Sequence, residues 1–280
     1  RIPAIKVETW CAYTNQVSCT QTRTPGSPQT VFAMESQIDI IARELGMDPV
    51  EFRMKNLLDN GDAAPFGQKW QNILVRDTLA KAVKASGWNK PKAKNVGRGV
   101  AIYERGTGAG KSGAAITLEA YGDVTAMTGV PDVGPGIHTV VQQIVSEVLG
   151  VAPERVQVRV EDTDRSPYDS GTGGSKSTNS VGTAAYKAAS ELKEKIIGLA
   201  ASRIGCAAET IRENKKRFVA PGHKAMSFTD LARHADEQNG EAITHLSVFE
   251  PGRQGVTAFA TQVAEVKVDP ETGQARVQRI

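Results

Sequence analysis

The sequence predicts an α+β fold in which mixed sheets pack against helices. Three observations predict it. Apolar residues recur at helical spacing in several separate segments, and other segments alternate apolar with polar residues as half-exposed strands do. Some strand segments adjoin through short turn sequences, as in hairpins. A doubly wound α/β sheet would alternate strand and helix regularly, and this order does not.

Residues 31–45 carry Phe32, Met34, Ile38, Ile41 and Leu45 close to a helical stripe, with Gly46 as the stop. Asp48-Pro49-Val50-Glu51 opens a second helix: Asp48 caps it, Pro49 takes its first position and Glu51 reaches back. That helix should run to about Leu58. Residues 74–86 form a third, closed by Gly87. Beyond the Lys-rich connector at 90–95 the pattern turns to strands, with 113–120 and 124–128 flanking Tyr121-Gly122-Asp123. Residues 137–149 space their apolar positions as a buried helix ending at Gly150. Val156, Val158 and Val160 alternate with Gln157 and Arg159 as a strand, and 181–202 form a long Ala-rich helix. Ser227-x-x-Asp230 is a capping box, and strands at 258–268 and 274–280 flank the turn at 269–273. The expected division is a helical, turn-rich part at 1–95 and an α+β part at 96–280.

A chain of 280 residues can hold one large domain or two ordinary ones. Its 34 basic and 31 acidic side chains are too balanced for a nucleic-acid surface, and no apolar run approaches membrane-spanning length. Cys11, Cys19 and Cys206 form no C-x-x-C pair, so neither a disulfide framework nor a Zn or Fe–S site is expected. Free thiols predict a reducing, cytoplasmic compartment. The chain opens on Arg1 and closes on Ile280 within a strand pattern, which predicts a piece of a longer polypeptide.

Three loops could carry chemistry. Arg23-Thr24-Pro25-Gly26-Ser27-Pro28-Gln29 sets a cation on a stiff turn, suited to orienting an anion or carbonyl; a solvated surface arginine is the alternative. The loops at 129–138 and 169–177 lead into helices, where backbone N–H groups, Ser175, Ser177 and Lys176 could meet an anion. Plain helix-entry turns, with Ser177 or Thr178 as N-cap, are the alternative. Gly108-x-Gly110-x-x-Gly113 matches a dinucleotide fingerprint, but the sequence after it reads as strand where that motif requires a helix. The four histidines show no metal-ligand spacing.

The segment RTPGSPQTVFAMESQIDIIARELGMDPVEFRMKN, starting at Arg23, closely resembles the molybdopterin-binding large subunit of the xanthine dehydrogenase and aldehyde oxidase family, the molybdenum hydroxylases. GVPDVGPGIHTVVQQIVSEVLGV resembles that family's glycine loop and following helix. VEDTDRSPYDSGTGGSKSTNSVGTAAYKAA is similar to its second cofactor loop, and FATQVAEVKVDPETGQARVQRI to a later strand pair. The resemblance implies a molybdenum ion held by a pyranopterin dithiolene, with the pterin alone or extended as a cytosine dinucleotide. It implies hydroxylation of an aldehyde or aromatic N-heterocycle with oxygen from water, and electrons leaving through Fe–S clusters and FAD on other domains or subunits.

By matching position, the resemblance places Arg23 at the molybdenum pocket, contacting cofactor or orienting substrate. It sets Gly134 and Gly136 along the pyranopterin, and Thr172, Gly173, Gly174 and Ser175 around its dithiolene or phosphate, with Ser177 as a further candidate. It puts a loop from Tyr103 to Lys111 at the substrate entrance. Pro135 stands where the family often has Gln. The family's glutamate base lies downstream of the strand pair, so no catalytic residue is expected in this chain, which alone should be inactive. A non-catalytic scaffold or assembly module that retains the fold is the alternative.

Overall fold

The computed structural model describes residues 6–17, 24–63, 67, 69–119, 122–239, 242–252 and 257–280. In chain order the first elements are α1 (Ser27–Glu44), α2 (Pro49–Asn56), α3 (Val75–Ser86), β1 (Val96–Gly106), β2 (Ser112–Leu118) and β3 (Val124–Thr128). Next come α4 (Ile137–Leu149), β4 (Val156–Arg159), α5 (Ser177–Ile204), β5 (Arg212–Asn214) and β6 (Arg217–Val219). The last are α6 (Phe228–Asn239), β7 (Ile243–Phe249), β8 (Thr257–Val268) and β9 (Ala275–Arg279). The mixture of antiparallel, parallel and helical connections is α+β.

Contacts divide the chain into residues 1–105 with 257–280, and residues 106–256. The division expected at residue 95 does not coincide with this one. β1 hydrogen-bonds to β8 in a sheet ordered β1-β8-β9, so the boundary follows strand pairing and not the change from helical to strand-like sequence.

In the first unit, α1 begins at Ser27, four residues earlier than its apolar stripe. Gly26 supplies the required φ of 79°, and Pro28 sits in the first turn, where its missing N–H is no loss. Asp48 Oδ1 caps α2 by accepting from the Val50 and Glu51 amides at 2.8 and 3.1 Å, and Gly87 closes α3 with φ 67°. Ala42 is the one buried residue of α1, so apolar packing holds this helix weakly. Charge holds it instead. The Arg53 side chain of α2 is 2% exposed; its Nε donates to Glu35 Oε2 at 2.9 Å and its Nη1 to Asp39 Oδ1 at 2.8 Å. Glu35 Oε2 also accepts from the Ile102 amide of β1 at 2.9 Å. A small core of Leu79, Val100 and Val263 lies under Met54, Trp88 and Ile102.

The second unit is built on a sheet ordered β4-β3-β2-β7. β2 pairs antiparallel with β3 and β7, whereas β3 and β4 are parallel and joined through α4. Ile116, Leu118, Val124 and Ala126 of the strands pack with Val141, Val145 and Leu149 of α4 and with Leu231 of α6. α5 presents Ala184, Ala185, Ala188 and Ala189, all fully buried, and these small side chains let its neighbours approach closely. A Cβ on Gly182 would lie 2.9 Å from Ile144 Cδ1. The capping box at α6 forms as expected: Ser227 N donates to Asp230 Oδ2 at 2.7 Å, and Asp230 N to Ser227 Oγ at 3.2 Å. Among the described residues no helix is long and apolar enough to cross a membrane.

Candidate cofactor-binding site

Three loops of the second unit meet beside the start of β2. They are residues 107–111 before β2, 129–136 between β3 and α4, and the end of the β4–α5 connection at 167–176. Gly108 N donates to Gly174 O at 2.7 Å, and Ser170 N to Lys111 O at 3.2 Å. Gly113 N donates to Tyr168 O at 2.8 Å. Thr172 Oγ1 donates to Pro131 O at 3.0 Å, tying the two helix-entry loops together. Two of the glycines face backbone oxygens at these approaches: a Cβ on Gly108 would lie 2.5 Å from Gly174 O, and one on Gly129 2.4 Å from Pro167 O.

The first helix-entry loop differs from expectation. Gly134 and Gly136 take φ of 108° and 79°, and a Cβ on either would meet nothing within 4 Å. Their N–H groups are not free, because both donate to Asp132 Oδ1, at 3.0 and 3.1 Å. These backbone donors, Gly134 foremost, hold the Asp132 carboxyl below its ordinary range. The chain thus supplies its own anion in front of α4. Asp two residues before Gly is an Asx-turn signal, and in PDVG it was available in the sequence.

In the second loop, Gly173, Gly174 and Ser175 are exposed and Thr172 is half-buried. Ser175 adopts a left-handed φ of 62°. Ser177 is the first residue of α5, not its N-cap; the N-cap is Lys176, whose side chain makes no capping bond. Lys176 corrects a second expectation. Its charge is turned inward: the residue is 5% exposed, and Nζ donates to Ser170 Oγ at 2.7 Å beside Asp169 Oδ1 at 3.5 Å. Asp169, which the sequence reading did not single out, also accepts from Gly171 N at 2.7 Å.

Arg23 lies outside the described residues. The turn after it, in the first unit, borders an apolar cleft of about 770 Å³ lined by Val31, Met34, Ile38, Phe52, Trp70 and Phe259. The loop expected at 103–111 is shorter, since residues 103–106 are the end of β1. The segment after Gly108-x-Gly110-x-x-Gly113 is strand β2, so that motif lacks the helix a dinucleotide site requires. Among the described residues no group of three His, Cys, Asp or Glu side chains could hold a metal ion.

Two family models described as molybdopterin cofactor-binding domain match the chain, over residues 1–57 and 76–280. The xanthine dehydrogenase molybdenum-binding subunit of Escherichia coli O157:H7 is 32% identical over 289 residues, an alignment covering 96% of this chain and 38% of the relative. The aldehyde oxidoreductase molybdenum-binding subunit of Escherichia coli K12 is 30% identical over 267 residues, 92% of this chain and 35% of the relative. The chain therefore spans less than two fifths of these relatives' length. The solved CO dehydrogenase of Oligotropha carboxidovorans shares the fold with a TM-score of 0.77 at 23% identity, over 90% of this chain and 36% of that one. The order of glycine loops and helices, both domain models and these relatives agree: the chain belongs to the molybdopterin cofactor-binding large subunits of the molybdenum hydroxylase family.

Proposed function

We propose that this chain forms part of an enzyme that hydroxylates an aldehyde or an aromatic N-heterocycle with water-derived oxygen, in the cytoplasm. Electrons would pass to Fe–S and FAD partner domains or subunits, since this chain has no cysteine cluster to carry them. The observation that carries the reading is the meeting of the three glycine loops at the start of α5, whose N-cap residue, Lys176, makes no capping bond with its side chain. An uncapped helix start offers N–H groups and a partial positive charge to a phosphate.

The donors fit such a group unequally. Gly171 and Gly173 leave open space where a Cβ would stand, and Thr172, Gly174, Ser175 and Ser177 surround that opening in sequence. This loop suits the phosphate end of a pyranopterin. Gly134 and Gly136 suit its flat ring system as open surface, without their N–H groups. Arg23 is assigned to positioning cofactor or substrate. The molybdenum–pterin group, when bound, supplies two-electron redox chemistry; the residues of this chain bind and orient it.

The test is the full-length protein produced in a host that makes the cofactor. Molybdenum and pterin near one per chain, with oxidation of aldehydes or N-heterocycles using an artificial acceptor, is the expected result. Protein empty of both, from a host that loads a control hydroxylase, overturns the reading and leaves the scaffold.

A further inference from the structure

The second loop holds a buried ion pair that anion binding does not require. The side chains of Lys176 and Asp169 are 6% and 1% exposed. Lys176 Nζ reaches Ser170 Oγ, and Ser170 donates through both N and Oγ to Lys111 O at 3.2 Å. Gly110 packs on the same group: its Cβ would stand 2.5 Å from Ser170 Oγ and 2.9 Å from Lys176 Cδ. Asp169 bridges to Ser112 of β2 through the backbone. Its Oδ2 is buried without a hydrogen-bond partner, as are Ser112 Oγ and Ser180 Oγ. A carboxylate so placed is costly unless a cation faces it, and Lys176 is the cation beside it.

We infer that Lys176 is a positioning residue and not a phosphate ligand. Its ammonium neutralises Asp169 and locks residues 169–175 onto residues 107–111, so the donors of the second loop are fixed before anything binds. The inference rests on the cofactor reading only for its consequence; the lock itself is made by this chain's own residues.

The experiment compares Lys176→Met, Asp169→Asn and the double variant in the full-length protein. Amide hydrogen exchange is read on the cofactor-free form, and molybdenum and pterin content on the loaded form. Lys176→Met should speed exchange at Gly108, Ser170 and Gly171 by about tenfold or more, and its cofactor content should fall in parallel. The double variant removes both charges and keeps an Asn oxygen for Gly171, so protection and content should recover to within about threefold of wild type. A double variant as unprotected and as empty as Lys176→Met overturns the inference. So does a Lys176→Met protein that keeps its protection yet loses cofactor, the signature of direct phosphate contact. Faster exchange with unchanged cofactor content leaves the lock standing and removes this loop from the cofactor site. Should Lys176→Met fail to fold, the double variant decides: folded and protected supports the lock, unfolded or unprotected overturns it.

Discussion

Replacing Arg53 by Met should destabilise the first unit by about 3 kcal/mol. Arg53 joins α1 to α2 through Glu35 and Asp39 and also donates to Pro49 O at 3.1 Å. Met keeps most of the apolar stem volume, so the loss is mainly that of the cation. Removing one member of a buried pair costs about 3–5 kcal/mol, because its partners stay buried and unpaired. The lower figure applies, since Asp39 is 36% exposed and rehydrates, while Glu35, at 14%, keeps the Ile102 amide as donor. Urea unfolding followed by tryptophan fluorescence reads this unit, because Trp10, Trp70 and Trp88 all belong to it. With a denaturant slope of about 1.5 kcal/mol per molar, the midpoint should fall by about 2 M. Arg53→Lys should recover no more than about half, since an ammonium lacks the fork that reaches both carboxylates. A midpoint shift under about 0.5 M, or a lysine variant equal to wild type, refutes the account of how α1 is held.

Three further outcomes follow from the second unit. Gly108→Ala puts a methyl 2.5 Å from the Gly174 carbonyl oxygen, and the forced backbone shift should cost about 2 kcal/mol, visible as a lower melting temperature; an unchanged melt contradicts the close approach. Ala185→Leu overfills the contact face of α5 and should cost about 1–3 kcal/mol in a circular dichroism melt, whereas a neutral result would mean that face has room. Asp230 has its carboxyl held below the usual range, first by the Ser227 amide and then by the Ser227 hydroxyl. With the folded value below the unfolded one, its contribution is full above the unfolded pKa and is lost as pH falls through the folded one. Asp230→Ala should therefore cost about 1 kcal/mol at neutral pH, and the gap from wild type should close in acid; an equal gap at both pH values sinks the cap.

Glycine punctuation made some of this fold legible. Residues 137–149 emerge as α4 to the residue, because Gly136 and Gly150 bracket a run whose apolar positions all face one core. The early start of α1 was hidden, because Ser27-Pro28 reads locally as a turn; that of α5 falls at Ser177, already a candidate N-cap in the sequence. β1 was hidden for another reason. Gly97, Arg98 and Gly99 break its alternation, and Arg98 finds its ion partner only at Glu265, far along the chain. The candidate site was legible in the same uneven way. The two glycine loops and their helices could be read from local sequence, whereas the burial of Lys176 depends on Ser170 and Asp169 folding beneath it.

The two helix-entry loops look alike in sequence and differ in charge. At α4 the carboxylate of Asp132 already accepts from the Gly134 and Gly136 amides, so a phosphate brought to them would meet a like charge at hydrogen-bond range. At α5 the neighbouring carboxylate, Asp169, is opposed by Lys176, and the helix start keeps its positive end. In the proposed function the anionic end of the cofactor therefore belongs to the second loop, and the first offers only shape. Substitutions at Gly134 or Gly136 should then act by filling space and by straining a left-handed backbone, with little dependence on salt. Those that place an acidic side chain at Gly173 should weaken cofactor retention most at low ionic strength, where a new negative charge is least screened.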